Sequence, residues 1–414
     1  MQWYERALAG CEKVLGKDHP STLDIVHNLA LVFNNQAEYD KAMRLYERVL
    51  VGCEKALGKD HPSTLDTVHN IALIFENRGK YEEAMQLYER VLAGKEKTLG
   101  KDHSSTLDTV HNIAGVFDKQ GKYDKAMQWY ERALAGYEKA LGKDHPSTLN
   151  TIHCIALIFE NRGKYEEAMQ LYERVLAGKE EALGKDHPST LDAVHSIASV
   201  FENQGKYDEA MEWYERALAG KEKTLGEDHP STLDTVHNIA LVFDNRGKYD
   251  EAMQWYERAL AGSEKILGKD HPSTLDTVHN IALIFENQCK HDEAIQLYKR
   301  ALVGCEKALG KDHPSTLDTV HNIALIFENR GKYEEAMQLY ERVLVGREKT
   351  LGEDHPSTLN TAKRLRILTE KTGASNFTCV NGNNPITWFI IELERRQPPP
   401  PILLSAFNSD KNYK

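Results

Sequence analysis

Apolar residues recur at three- and four-residue steps along most of the chain, and the whole pattern repeats every 42 residues. In one unit Leu65, Val68, Ile71, Ala72 and Phe75 fall on a single face of a helix, which predicts a first helix over roughly 62–78. Pro62 suits its first turn, where the missing N–H is not needed. Asp60 or His61 then stands at or beside the N-cap, and Asp66 favours the positive helix end. Gly79 follows in the usual left-handed C-terminal place. A second helix is predicted over about 81–99, with Tyr81, Ala84, Met85, Tyr88, Val91 and Leu92 on its apolar face, Lys97 near its negative end and Gly100 closing it. Gly94 lies inside this helix at a cost of ~1 kcal/mol relative to alanine. Its recurrence at Gly52, Gly136 and Gly178 points to close helix–helix approach.

The period is anchored by an Asp-His-Pro-Ser-Thr-Leu string whose histidine falls at His19, His61, His103, His145, His187, His229, His271, His313 and His355. Only Ser104 breaks its proline. One helix pair cannot bury its apolar stripe alone, whereas stacked pairs bury a continuous core. The fold class is therefore all-α, a solenoid of antiparallel helix hairpins. Residues 1–20 read as a partial first repeat holding only the second helix, and 21–356 as eight repeats of 42 residues. Residues 357–372 read as a closing helix made polar by Lys363, Arg364 and Arg366, as a cap requires. Met1 matches Met85 of a later unit, so the expectation is a chain truncated at its N-terminus. Residues 373–414 leave the repeat: a turn-rich Asn381–Pro385, an apolar Trp388–Ile391 and a run of prolines from Pro398 to Pro401. They are expected to be a disordered tail, with a short docking motif as the functional alternative.

Composition narrows the partner classes. The apolar fraction of 41% and charged fraction of 28% suit a folded chain. The net charge of -11, with both signs interspersed, gives no reason to expect nucleic acid or an anionic membrane as partner. No apolar run approaches the ~18 residues that span a bilayer, and Met1–Arg6 does not read as a signal peptide. Cys11, Cys53 and Cys305 share one repeat position, and Cys154, Cys289 and Cys379 are scattered, which suits a reducing, cytoplasmic setting better than a disulfide framework.

The stretch Asn70 to Ala84 resembles the tetratricopeptide pattern. Ala72, Phe75, Gly79, Tyr81, Ala84 and Tyr88 fall on its places, Val68 stands at the family's tryptophan and the closing proline has no counterpart. The longer unit, with Glu96-Lys97, Leu99-Gly100 and Asp102-His103 between repeats, resembles the 42-residue repeat of kinesin light chains, a subtype shared with nucleotide-binding sensor proteins. The likeness covers residues 1 to about 371. It implies a right-handed, TPR-like superhelix and a protein or peptide partner, as in a larger complex such as a kinesin motor. The heptads of a full light chain and the nucleotide-binding domain of a sensor are not in this sequence.

In that family the concave wall is lined by the first helix of each pair. Its groove places fall on Asp66, His69, Leu73, Glu76 and Asn77, which share a helical face that the core positions do not use. The column continues through Asp108 and His111; Asp192, His195, Glu202 and Asn203; and Asp234, His237, Asp244 and Asn245. It goes on through Asp276, His279, Glu286 and Asn287, then Asp318, His321, Glu328 and Asn329. Asn-type amides could bond the backbone of an extended peptide, and the carboxylates would favour lysine or arginine side chains. The plainer alternative is a solvated inner face with pairs such as Asp66 and His69. Departures from the repeat at Asn150, Cys154, Gly115, Ser199 and Lys119 are where local selectivity is expected.

Equivalent histidines one repeat apart, roughly a helix diameter of ~10 Å, are too distant to share an ion, so no metal site is expected. A histidine ladder beside aspartates could make binding sensitive to pH near 6.5. The segment Gly94–Asp102 fails as a phosphate loop: five residues separate its glycines, and Asp replaces Ser or Thr. No nucleophile elbow or zinc motif occurs. Neither catalysis nor a cofactor is expected. The leading reading is a cytoplasmic interaction scaffold that holds a partner peptide of basic character. A sensor's ligand-binding array and a passive spacer are the alternatives.

Overall fold

The computed structural model describes residues 2–373; the tail features at Trp388 and the proline run lie outside them. Among the described residues there are eighteen α-helices and no strand. The first helix of each hairpin is α2 (Pro20–Asn35), α4 (Pro62–Asn77), α6 (Ser104–Lys119), α8 (Pro146–Asn161), α10 (Pro188–Asn203), α12 (Pro230–Asn245), α14 (Pro272–Asn287), α16 (Pro314–Asn329) and α18 (Pro356–Thr372). The second is α1 (Gln2–Leu15), α3 (Tyr39–Leu57), α5 (Tyr81–Thr98), α7 (Tyr123–Leu141), α9 (Tyr165–Leu183), α11 (Tyr207–Leu225), α13 (Tyr249–Ile266), α15 (His291–Ala308) and α17 (Tyr333–Thr350).

Local chemistry sets these boundaries. His61, with φ -68° and ψ 138°, is the N-cap of α4, and its Nδ1 accepts the Ser63 N–H at 3.2 Å. Of the two cap candidates, the histidine is the one used, and the other repeat histidines do the same (His19 and His355, for example). Thr64 Oγ1 donates to the Gly58 carbonyl at 2.8 Å and ties the helix to the loop before it. At the far end Gly79, at φ +68°, lets its own N–H reach the Glu76 carbonyl and that of Lys80 reach Phe75. Ala37 and Cys289 occupy the same place at φ 55° and 60°, a strained conformation for a residue with a Cβ.

Each helix packs on the next, and the hairpins stack into a solenoid. A Cβ added to Gly94 would come within 2.8 Å of Leu65 Cδ1, so the glycine serves the close helix approach expected of it. The core bridges neighbouring hairpins: Ala72, Tyr81, Ala84 and Tyr88 share one cluster with Val110, Ile113, Ala133 and Tyr137. The first helices of neighbouring hairpins also touch directly, as α14 touches α16. Elements that converge across a bend lie on its inner side, so these helices form the concave wall. Successive superhelical turns meet as well, since the Gly79 turn lies against His313 and Pro314.

Candidate functional site

The inner wall is built on a ladder of histidines. His195 sits edge-on against Tyr214, ring centroids 5.0 Å apart, and the same pairing recurs from His27 to His321. Asn238 Nδ2, in the next repeat, donates to His195 Nε2 at 2.8 Å. Thr235 Oγ1 already donates to the Ser231 carbonyl, so His195 Nδ1–H is the donor in its 3.1 Å bond to that hydroxyl. Asn112 bonds His69, Asn280 bonds His237 and Asn322 bonds His279 in the same way. These bonds need a neutral ring with a fixed tautomer. Burial between repeats pushes His69 and His237 down to about 4. Burial and the Lys221 ammonium push His195 down to about 3. These three rings therefore stay uncharged through the range near pH 6.5, where a sensor would switch.

The aspartates are the open part of the wall. Asp66, Asp108, Asp192, Asp234, Asp276 and Asp318 are all exposed. In several hairpins their charge is met from the second helix, at the repeat position that Cys11, Cys53 and Cys305 share, whose charged members the sequence reading did not single out. Lys95 Nζ, buried, meets Asp66 at 2.8 Å and Ser105 Oγ at 2.7 Å. Lys221 meets Asp192 at 2.9 Å, and Arg347 meets Asp318 at 2.5 Å. Tyr137 donates to Asp108 at 2.5 Å. At the equivalent place Cys53, Ser263 and Cys305 offer no cation to Asp24, Asp234 and Asp276. Asp276 reaches solvent but is partly desolvated by the surrounding wall, and this together with the neighbouring Asp318 carboxylate pushes it up to about 6. The signal was present in the sequence: within near-identical repeats this one position varies among Cys, Lys, Tyr, Ser and Arg.

The acidic residues nearer the C-terminal end of the same helices face inward. Glu76 is buried, accepts from Tyr88 at 2.9 Å and pairs with Lys119 at 2.8 Å. Glu202 accepts from Tyr214 at 2.9 Å and from Asn245 at 3.1 Å, and burial pushes it up to about 7. Glu286 and Glu328 accept from Tyr298 and Tyr340. Asp244, one methylene shorter, has burial raising its pKa and no such bond to Tyr256. Leu73 and Asn77 are half-buried, whereas Asn203, Asn245, Asn287 and Asn329 are exposed. Asn203 also donates to Glu160, as does Ser199, each at 2.7 Å. Cys154 stands in the asparagine place, its Sγ 3.9 Å from His111 Nε2. The expected column is thus brought together on one wall, with exposed aspartates above histidines and acids that join repeat to repeat. Among the described residues, no three His, Cys, Asp or Glu side chains converge as metal ligands, and no helix is long and apolar enough to cross a membrane.

The Tetratricopeptide repeat family model matches the chain in overlapping segments from residues 2–50 through 273–349. The chain belongs to the tetratricopeptide repeat family, whose fold is an interaction scaffold for protein partners and generally not a catalytic one. Among solved structures it is similar to the nearly identical TPR-like repeats of a kinesin light chain candidate from Podosopora anserina. That match has 33% identity, covers 50% of this chain and 98% of the other, and has a TM-score of 0.41. It is also similar to a Rap protein complexed with competence and sporulation factor, at 15% identity, 84% and 99% coverage and a TM-score of 0.51. The apo form of RapI matches at 12% identity, 70% and 99% coverage and a TM-score of 0.50. None of the curated proteins compared matches the chain.

Proposed function

We propose that the chain is a non-catalytic, cytoplasmic scaffold whose concave wall holds an extended peptide segment of a protein partner. The resemblance to the cargo-binding repeats of kinesin light chains suggests a role within a larger assembly such as a motor complex. The observation that carries the reading is the row of exposed aspartates, one in every hairpin but the fourth, where Asn150 stands, along a wall whose histidines and glutamates are bound into the fold. Carboxylates so placed attract lysine and arginine side chains at a repeating interval.

The variable position on the second helix grades this attraction. Lys95, Lys221 and Arg347 neutralise Asp66, Asp192 and Asp318, while Asp276 faces no such cation and Asp234 feels only the charge of Lys221 from the preceding hairpin, which pairs with Asp192. The ligand's basic residues are therefore assigned to the sixth and seventh hairpins. A pulldown with Asp234→Asn/Asp276→Asn tests the role of the wall. A groove loses partners that the parent protein retains, and a passive spacer keeps them all.

A further inference from the structure

Two edges of the solenoid meet where one superhelical turn passes over another. The turns at Gly79 and Gly121 lie against the loops at His313 and His355, partners 234 residues apart in both cases. A Cβ on Gly79 would stand 3.1 Å from the His313 ring and from Pro314. Apolar burial goes with the contact. Leu309 joins the cluster around Tyr39 and is 5% exposed, and Leu351 joins that around Tyr81 at 8%. Their counterparts Leu57, Leu141 and Leu183, on loops with nothing over them, are 43%, 37% and 37% exposed. Tyr39 and Tyr81 are likewise buried, while Tyr165, Tyr207 and Tyr249 on the uncovered turns are half-buried.

Both halves of this interface recur unoccupied among the described residues. The turns at Gly163, Gly205, Gly247 and Gly331 have open space where His313 meets Gly79, and the early loops leave Leu15, Leu57, Leu141 and Leu183 exposed where Leu309 and Leu351 are buried. We infer that a second copy of the chain docks coaxially on the first, its early loops seated on these later turns as His313 is seated on Gly79. The partner is a second copy because the chain already makes this contact with itself, and near-identical repeats carry the same contact surface onward. One register covers every open turn: it places His61 over Gly205, His103 over Gly247 and His145 over Cys289. In that register the exposed leucines meet the half-buried tyrosines, Leu57 on Tyr165 and Leu141 on Tyr249. The contact joins two different surfaces, so it propagates as an open stack rather than closing as a dimer.

Sedimentation velocity of the full chain over a concentration series should show association that grows past the dimer. Leu57→Glu/Leu141→Glu/Leu183→Glu, at positions already exposed, should keep the helical spectrum and peptide affinity of the parent and stay monomeric. Cys289 is exposed, so under a mild thiol oxidant His145→Cys should form an intermolecular disulfide with it. His61→Cys, placed opposite Gly205, should not. A parent chain that is monomeric at every concentration, a triple variant that still stacks, or equal crosslinking by both cysteine variants would overturn the inference.

Discussion

Asn112 Nδ2 donates to His69 Nε2 across 2.8 Å, and the two residues belong to adjacent hairpins. Most of a hairpin's contacts are with its immediate neighbours, so such a bond adds to the coupling between repeats rather than to the stability of one. Its counterpart between His195 and Asn238 is also 2.8 Å long. Asn238→Ala leaves a half-buried imidazole nitrogen without its donor, which should cost about 1–3 kcal/mol. Urea unfolding of Asn238→Ala, His195→Ala and the double variant should give a positive coupling energy and a broadened transition.

The neutral histidines set a pH dependence. Their folded pKa values, about 4 for His69 and His237 and about 3 for His195, lie below the unfolded value near 6.5. As pH falls below 6.5 the unfolded chain takes up protons that the folded ladder refuses, so stability falls with pH until those lower values are reached. Glu202 works in the opposite sense: burial raises it to about 7, and it gains stability as pH drops through that value towards the usual carboxylate range. The histidine part is isolated by comparison. His195→Gln should be less stable than the parent at pH 7.5 but lose less on going to pH 5, as thermal unfolding at the two pH values would show.

Gly94 is a second packing test. In an isolated helix Gly→Ala is worth about 1 kcal/mol in favour of alanine. Here the added methyl meets Leu65 at 2.8 Å, and overpacking costs about 1–3 kcal/mol. Gly94→Ala should therefore destabilise in urea, and Leu65→Ala combined with it should cost less than the sum of the two single changes.

Cys289 tests the turn. Its φ of 60° is one that glycine adopts without strain. Cys289→Gly should raise stability by about 1 kcal/mol, read as a higher urea midpoint at unchanged slope.

The solenoid was legible because its period is redundant: the helical face Leu65–Phe75, the proline start at Pro62 and the glycine stop at Gly79 recur in register. The wall was legible as a face, because Asp66, His69 and Glu76 fall between the core positions. What those side chains bind was not legible. His69 takes its partner from Asn112, a residue 43 positions away, and that distance depends on how one hairpin sits on the next. Lys95 was hidden for a related reason. A lysine on an amphipathic helix reads as solvated surface, and only the packed hairpins bury it against Asp66 and Ser105. The contact between superhelical turns lay further out of reach, because it depends on pitch.

Calorimetric titration of the full chain with two extended peptides of equal length, one rich in lysine and one rich in glutamate, tests the central claim most directly. The lysine peptide should bind more tightly, and Asp234→Asn/Asp276→Asn should abolish that preference while the protein stays folded. Tighter binding of the glutamate peptide, or a preference that survives loss of both aspartates, would contradict the assignment of the concave wall to a basic ligand.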